Sequence, residues 1–425
     1  MRSEVPTIKK VIFIMGFSPK YEEYGNKPKP EHNWTTPAGT WVGIWGGDWG
    51  DLLLRALARY YPDYECEVWR PDLRADKVYS VQFEPGFVHR CFPAAMRRAF
   101  RRCKIVRRIH SQGMIDRIRK YDRDETVFFI SAAYYLTYLK NSINRIDKAK
   151  VLYYNFLNTQ KLLPLDYSFT KPLRTVSAVL LNGEKAAGMR RVKNLLTASD
   201  NCEALAELKR TYPQMKVHLY QMAGLNLDFW KPVMSKNESR ALLGIALSKF
   251  VIVLSQRLVP EYQIDRFLEV INRLNTGREF VCYITGHGLP DYEAYLHKLA
   301  SDYRLEDKVC FVGYVSDEEL RNYFIAADLF ATTARMFAGS TGAEKCMAIG
   351  TPILHVTMGS TYEILKTHNA GVFIDPENYD DWASKLSEII DGEKVHTVPR
   401  EIVEDLFSPE KTADDLHNAI MNLRA

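Results

Sequence analysis

An α/β chain with two doubly wound parallel sheets is the fold that this sequence predicts, and three observations predict it. Short apolar runs of strand length alternate with segments of helical period along nearly all of its 425 residues, the pattern of parallel strands joined by crossover helices. The length is well above the roughly 150 residues of one ordinary domain, so more than one core is available. A composition shift lies near the middle, where Gly224-Leu225-Asn226-Leu227-Asp228-Phe229-Trp230-Lys231-Pro232 runs into the polar Ser235-Lys236-Asn237-Glu238-Ser239, as at a linker. A first domain is therefore expected over 1–225 and a second from 226 onward.

In the first half the expected strands are Val11 to Met15, Tyr64 to Trp69, Thr126 to Ile130, Val151 to Tyr154, Asn194 to Ala198 and Val217 to Tyr220. In the second half they are Phe250 to Leu254, Phe280 to Thr285, Val309 to Phe311, Leu329 to Ala331 and Pro352 to Val356. Helices are expected between them. Two such sheets would bind ligand where their carboxyl ends face a common cleft.

With 46% hydrophobic and 26% charged residues, the chain is folded rather than disordered or fibrous. Its net charge of +5 is too small for an obligate nucleic-acid binder and leaves room for a local basic patch. The seven cysteines include no C-x-x-C pair, and they read as buried free thiols in a reducing cytosol. The run Val11 to Met15 is too short for a signal sequence, and no stretch approaches the roughly 20 apolar residues of a membrane span. A protein that is cytoplasmic, or peripheral to the inner face of a membrane, is expected.

From 90 to 108 the chain carries Arg90, Arg97, Arg98, Arg101, Arg102, Lys104, Arg107 and Arg108 with no acid among them. Phe92, Met96, Phe100, Cys103, Val106 and Ile109 recur at spacings of three and four, so an amphipathic helix with cationic flanks is expected. Arg97, Arg98, Arg101 and Arg102 are the candidates for a membrane or polyanion patch. The structural alternative is a core helix with a solvated arginine face.

The second half also carries five short motifs in order. Gly224 to Pro232 resembles the G-V-D-x-x-x-F-x-P linker of the GT-B glycosyltransferases, in particular the retaining group called glycosyltransferase family 4. Gln256-Arg257-Leu258-Val259-Pro260-Glu261 resembles that group's G-R-L-V-P-E loop, and Gly286-His287-Gly288-Leu289-Pro290 its G-x-G-P turn. Val312-Gly313-Tyr314-Val315-Ser316-Asp317-Glu318-Glu319-Leu320 is similar to the F-x-G-x-V-x-x-x-E-L stretch, and Met347-Ala348-Ile349-Gly350-Thr351-Pro352 to M-A-x-G-T-P. The resemblance implies two Rossmann-like domains facing a cleft (GT-B): an acceptor domain over 1–225, a donor domain over 226–405, and a helix over 406–425 that crosses back to the first domain.

A nucleotide-sugar donor carries a diphosphate, which calls for main-chain N–H groups at a helix N-terminus and for cations. Gly339-Ser340-Thr341-Gly342 leads into an expected helix, where small residues let amides approach and two hydroxyls add donors. An ordinary N-cap is the alternative. Arg257 matches the group's phosphate-binding arginine, and a guanidinium suits a bidentate grip. Its alternative is an ion pair with Glu261. Gly313, Tyr314 and Val315 resemble the loop whose main chain meets the base.

The sequence also departs from the pattern. Tyr262 stands where the group carries a second phosphate cation. Phe337 and Lys345 stand where it carries two glutamates, one near the donor sugar and one near the ribose. Glu344 could take the ribose contact if the helix shifts by one residue, and Lys345 could replace the absent phosphate lysine. In the first half, Gly46, Gly47 and Asp48 resemble the glycine-rich acceptor loop. The preceding loop holds Trp34, Trp41 and Trp45, whose rings suit sugar faces. No histidine follows Thr126 to Ala133, where the family usually has one, so no catalytic residue is named.

The resemblance implies a nucleotide-sugar-dependent, hexosyltransferase-like enzyme that retains anomeric configuration, with the nucleoside-diphosphate sugar as substrate and no cofactor or metal. A glycan or lipid-linked acceptor is implied as partner, with an anionic membrane surface a further candidate and nucleic acid a weaker one. A non-catalytic GT-B partner or scaffold, and a glycosyltransferase acting on nucleic acid, remain the alternatives.

Overall fold

Both halves of the chain are built on parallel strands, but only the second is parallel throughout. The computed structural model describes residues 8–14, 49–72, 75–100, 103–121, 125–131, 151–154, 190, 192–197, 203–219, 225–333 and 340–423. Among these, residues up to 219 form one compact unit together with those from 409 onward, and 225–408 form a second.

In the first unit the strands are β1 (Lys10–Ile14), β2 (Glu65–Asp72), β3 (Tyr79–Glu84), β4 (Phe87–Pro93), β5 (Ala95–Phe100), β6 (Cys103–His110), β7 (Thr126–Ser131), β8 (Val151–Tyr154), β9 (Asn194–Thr197) and β10 (Lys216–Leu219). The helices are α1 (Trp49–Tyr60), α2 (Gln112–Lys120) and α3 (Glu203–Thr211). Eight strands make one sheet in the order β10-β9-β8-β7-β1-β2-β4-β3. All neighbours run parallel except the edge strand β3, which is antiparallel to β4. Val11, Ile12, Phe13 and Ile14 are all fully buried, as expected of a strand covered on both faces. Leu53, Leu54 and Leu57 of α1 share a core with Leu416, Ala419 and Ile420 of the helix Pro409–Asn422. Tyr61 donates to Asp414 Oδ1 at 2.7 Å and stacks on His417. The return to the first unit comes at 408/409 rather than 405/406, because Val403 and Phe407 are in the second unit's core.

The basic segment is not a helix. It forms the end of β4 and a separate hairpin, β5 with β6, in which Met96 lies opposite Ile109, Arg97 opposite Arg108, Arg98 opposite Arg107 and Phe100 opposite Cys103. Spacings of three and four do not separate a helix from a folded-back ribbon when the apolar residues pair across the fold. Ile105, Val106 and Ile109 are β-branched and favour the extended form. Arg97 and Arg98 therefore lie on a strand, while Arg101 and Arg102 fall outside the described residues. The amphipathic-helix basis for a membrane or polyanion patch is removed. No described helix is long and apolar enough to cross a membrane.

The second unit contains β11 (Phe250–Ser255), β12 (Phe280–Thr285), β13 (Val309–Gly313), β14 (Leu329–Ala331), β15 (Ile353–Val356) and β16 (Val372–Ile374). Its helices are α4 (Lys236–Leu242), α5 (Ile264–Arg273), α6 (Pro290–Asp302), α7 (Asp317–Ala326), α8 (Thr341–Ile349), α9 (Gly359–Thr367), α10 (Tyr379–Asp391) and α11 (Arg400–Phe407). The sheet order is β13-β12-β11-β14-β15-β16, with every pairing parallel.

Alternate residues of β11 feed two cores. Phe250, Ile252 and Leu254 pack with Phe267 and Leu268 of α5, Leu296 of α6 and Trp382 of α10. Val251 and Val253 face the other way, with Phe324 of α7, Met347 of α8 and Phe407 of α11. This is the period of two expected of a strand covered on both sides. The segment entering the unit is fastened to the helix that leaves it. Leu225 N–H donates to the Phe407 carbonyl at 3.0 Å, and Arg400 donates to the carbonyls of Leu227 at 2.9 Å and Trp230 at 3.0 Å. Of the described cysteines, Cys66, Cys91, Cys282 and Cys346 are buried free thiols, but Cys310 is exposed, because position 310 is on the sheet-edge strand β13.

Candidate functional site

The strand order of the second unit reverses between β11 and β14, since the chain moves outward through β12 and β13 and then returns to the other side of β11. In such sheets the crevice at the carboxyl ends of the strands flanking the reversal is the usual ligand site. The Ser255–Arg257 loop, Thr332, Thr333 and the start of α8 all lie in chain positions directly after β11 and β14.

Arg257 is exposed. Its Nη2 donates to the Tyr262 hydroxyl at 3.2 Å, and its guanidinium carbon lies 5.4 Å from the centre of that ring. Two loops are joined beneath it. Leu258 N–H donates to the His287 carbonyl at 3.0 Å, and Leu289 N–H to the Leu258 carbonyl at 3.0 Å. A methyl on Gly288 would overlap the Leu258 carbonyl, so only glycine admits this pairing. Tyr262 adds no cation. Its carbonyl accepts from Gln256 Nε2 at 3.2 Å and from the Thr333 hydroxyl, which links the β11 and β14 loops.

Ser340 is the N-cap of α8, and its hydroxyl accepts from Ala343 N–H at 3.3 Å. Gly342 sits against the end of β11, because an added methyl would lie 2.8 Å from Phe330 Cζ and 3.4 Å from the Ser255 carbonyl oxygen. That contact brings the helix N-terminus beside the strand end from which Arg257 follows. The N–H groups of Thr341 and Gly342 belong to the first turn, which has no intrahelical acceptors. Gly339 and Phe337, with the rest of 334–339, lie outside the described residues, as do Gly46, Gly47, Asp48, Trp34, Trp41 and Trp45.

Adjacent residues of α8 take opposite roles. Glu344 is 1% exposed and meets the Thr361 hydroxyl, which accepts from Ser340 N–H at 2.8 Å. Burial pushes its carboxyl up to about 8, against the opposing influence of Lys345 and Thr361. It faces α9 within the core and is not available to a ribose, so the one-residue shift in register does not occur. Lys345 is about 100° further round the helix. Its Nζ lies 3.5 Å from Asp317 Oδ1 and 4.1 Å from the centre of the Trp230 ring. Burial lowers its pKa, and Asp317 acts in the opposite direction. Its charge is thus engaged by Asp317 rather than held out to a phosphate.

Gly313 has φ of +77°, and its carbonyl accepts from Gly286 N–H at 2.7 Å. A methyl there would lie 3.5 Å from the His287 ring. His287 and Tyr314, both about half exposed, have nearly parallel rings with centroids 6.2 Å apart. The main-chain N–H and carbonyl of Val315 have no hydrogen-bond partner among the described residues. Ser316 and Glu319 form a capping box that starts α7. Sequence reading did not single out His287, Asp317 or Trp230. Asp317 figures there only within the stretch that resembles F-x-G-x-V-x-x-x-E-L, and neither its Lys345 partner nor the Trp230 contact is local in sequence.

Among the described residues no cluster of His, Cys, Asp or Glu is placed to hold a metal ion. What the site offers is main-chain donors at a helix start, one exposed guanidinium, and a main-chain edge beside two rings. Residues 235–404 match the family described as Glycosyl transferases group 1. Those residues make up most of the second unit, 225–408. The match to a D-inositol 3-phosphate glycosyltransferase of Mycolicibacterium smegmatis is 28% identical over 171 residues, 40% of this chain and 39% of the relative. A GDP-mannose-dependent monoacylated alpha-(1-6)-phosphatidylinositol monomannoside mannosyltransferase of Corynebacterium glutamicum is 28% identical over 164 residues, 37% of this chain and 42% of the relative. The chain thus spans about two fifths of the length of these curated relatives.

The structural likeness is wider than the sequence likeness. Sucrose-phosphate synthase of Thermosynechococcus elongatus superposes with a TM-score of 0.69 at 14% identity, over 98% of this chain and 99% of that one. Anabaena HepE in complex with UDP gives a TM-score of 0.64 at 15% identity, over 97% and 100%. The fold is GT-B.

Proposed function

We propose that the chain binds a nucleoside-diphosphate sugar in the crevice of its second unit and transfers the sugar, as a glycosyltransferase of group 1. The observation that carries this reading is the packing of Gly342 against Ser255, which sets two first-turn amides of α8 beside the loop of Arg257. Amides at a helix start and a guanidinium together stabilise the charge that develops on a departing diphosphate. Val315, whose main-chain donor and acceptor have no partner among the described residues, suits the edge of a nucleobase. Retention of configuration, a glycan or lipid-linked acceptor in the first unit, and a cytoplasmic or membrane-peripheral location extend the reading on family resemblance alone.

The test is a thermal-shift screen with UDP, GDP and ADP and their sugars, followed by assay of nucleoside-diphosphate release. A ligand at 100 times its Kd stabilises by about 2.7 kcal/mol, and the reading expects one diphosphate series to do so. The absence of any shift would reject it. Tyr262 in place of a cation, with Lys345 engaged by Asp317, favours a second reading, a binding protein without transfer. Stabilisation by a nucleotide sugar with no release of diphosphate would select that one.

A further inference from the structure

The candidate site has a phosphate end at the start of α8 and a base end at Val315. A nucleotide that bridges them lays its ribose between, and the contact of Lys345 with Asp317 links α8 to the start of α7 there. Lys345 is one turn after Thr341 on the same face of α8, and Asp317 comes two residues after Val315. Lys345 Nζ is placed by Asp317 Oδ1 at 3.5 Å on one side and by the Trp230 ring at 4.1 Å on the other. The Asp317 side chain is 61% exposed. It has no partner besides Lys345 among the described residues, so one carboxylate oxygen faces solvent.

A helix start alone does not account for Asp317. The first turn of α7 already carries Glu318 and Glu319, and Glu319 closes the capping box with Ser316, so the dipole and the cap are served without it. Glu344, the carboxyl next to Lys345, is buried against Thr361. Ribose hydroxyls are donors, and a carboxylate with free lone pairs is the acceptor that suits them. We propose that Asp317, held in place by Lys345, accepts hydrogen bonds from the ribose hydroxyls of the bound nucleoside diphosphate and makes the site selective for ribonucleotides. Asp317 determines specificity, and Lys345 is a positioning residue that acts through it.

This inference rests on the nucleotide-binding reading above, and calorimetric titration of the full chain separates the two. The probes are UDP, GDP and ADP with their 2′,3′-dideoxy counterparts. Wild type is expected to bind the preferred ribonucleotide at least about tenfold more tightly than its dideoxy form, the size of one hydrogen bond to a charged group. Asp317→Ala should weaken the ribonucleotide by about tenfold and leave the dideoxy form unchanged, while Lys345→Met loses part of the preference. Equal weakening of both forms, or no preference in wild type, overturns the inference while nucleotide binding stands. If none of the diphosphates binds wild type, both readings fail together.

Discussion

Where the loop after β11 meets the loop after β12 and the start of α8, the packing is between main chains, and the glycines there have no room for a methyl: Gly286 against Gln256, Gly288 against Leu258, Gly342 against Phe330. Around the start of α7, side chains stand beside the main chain of Val315: His287, Tyr314, Asp317 and, from α8, Lys345. A main-chain cradle grips what nucleotides have in common, and its loss is structural. A side-chain rim is free to vary, and its loss alters selectivity at little cost to the fold.

The largest effect expected in the first of these regions is on stability as a function of pH. Glu344 has a folded pKa of about 8 against an ordinary 4.5. The folded state therefore binds the proton more tightly than the unfolded state does. Stability from the neutral carboxyl is fully present below about pH 4.5 and is lost as the pH rises toward about 8, by on the order of 3 to 5 kcal/mol. Glu344→Gln should flatten this slope in urea unfolding followed at pH 5 and pH 8.5. A wild-type slope retained in the variant would assign it to other groups.

Gly288→Ala should come next, destabilising the second unit by about 3 kcal/mol, because the methyl has only the Leu258 main chain to displace. Gly350→Ala, at φ +86° with nothing within 4 Å, should cost only about 1 to 2 kcal/mol from backbone strain. Equal costs in denaturant melts would mean that the joined loops are not a fixed part of the site. Arg257→Ala should leave stability nearly unchanged and weaken nucleoside-diphosphate binding by roughly 1.5 to 3 kcal/mol. Smallest of all, Tyr262→Phe removes the 3.2 Å bond to Arg257 and should change the same affinity by less than about 1 kcal/mol. A larger loss there would make Tyr262 a ligand contact in its own right.

All the strands expected from apolar runs are present, but which residues of a run such as Val251 and Ile252 face which of the two cores was not legible, because every position in it is apolar. Expectation failed where partners are local and polar. Tyr79 to Glu84 and the hairpin of Ala95 to His110 lack a long apolar run, and Met96 and Ile109 reveal their pairing only once the ribbon is folded back. Within the candidate site, Arg257 and the Ser340 to Gly342 turn stood out in the sequence because glycine and arginine carry a specific physical demand. The roles of Glu344 and Lys345 were not legible, because which of two adjacent helical residues faces the core depends on α7 and α9, remote in sequence. The link from Lys345 to Asp317 spans 28 residues and has no local signal.

Calorimetric titration of wild type and Arg257→Ala with UDP, GDP and ADP and with the corresponding monophosphates tests whether the loop of Arg257 and the start of α8 grip a diphosphate. Wild type should bind one diphosphate at least about tenfold more tightly than its monophosphate, and Arg257→Ala should remove most of that preference without unfolding. Equal affinity for mono- and diphosphate, or a preference that survives the loss of Arg257, would contradict it.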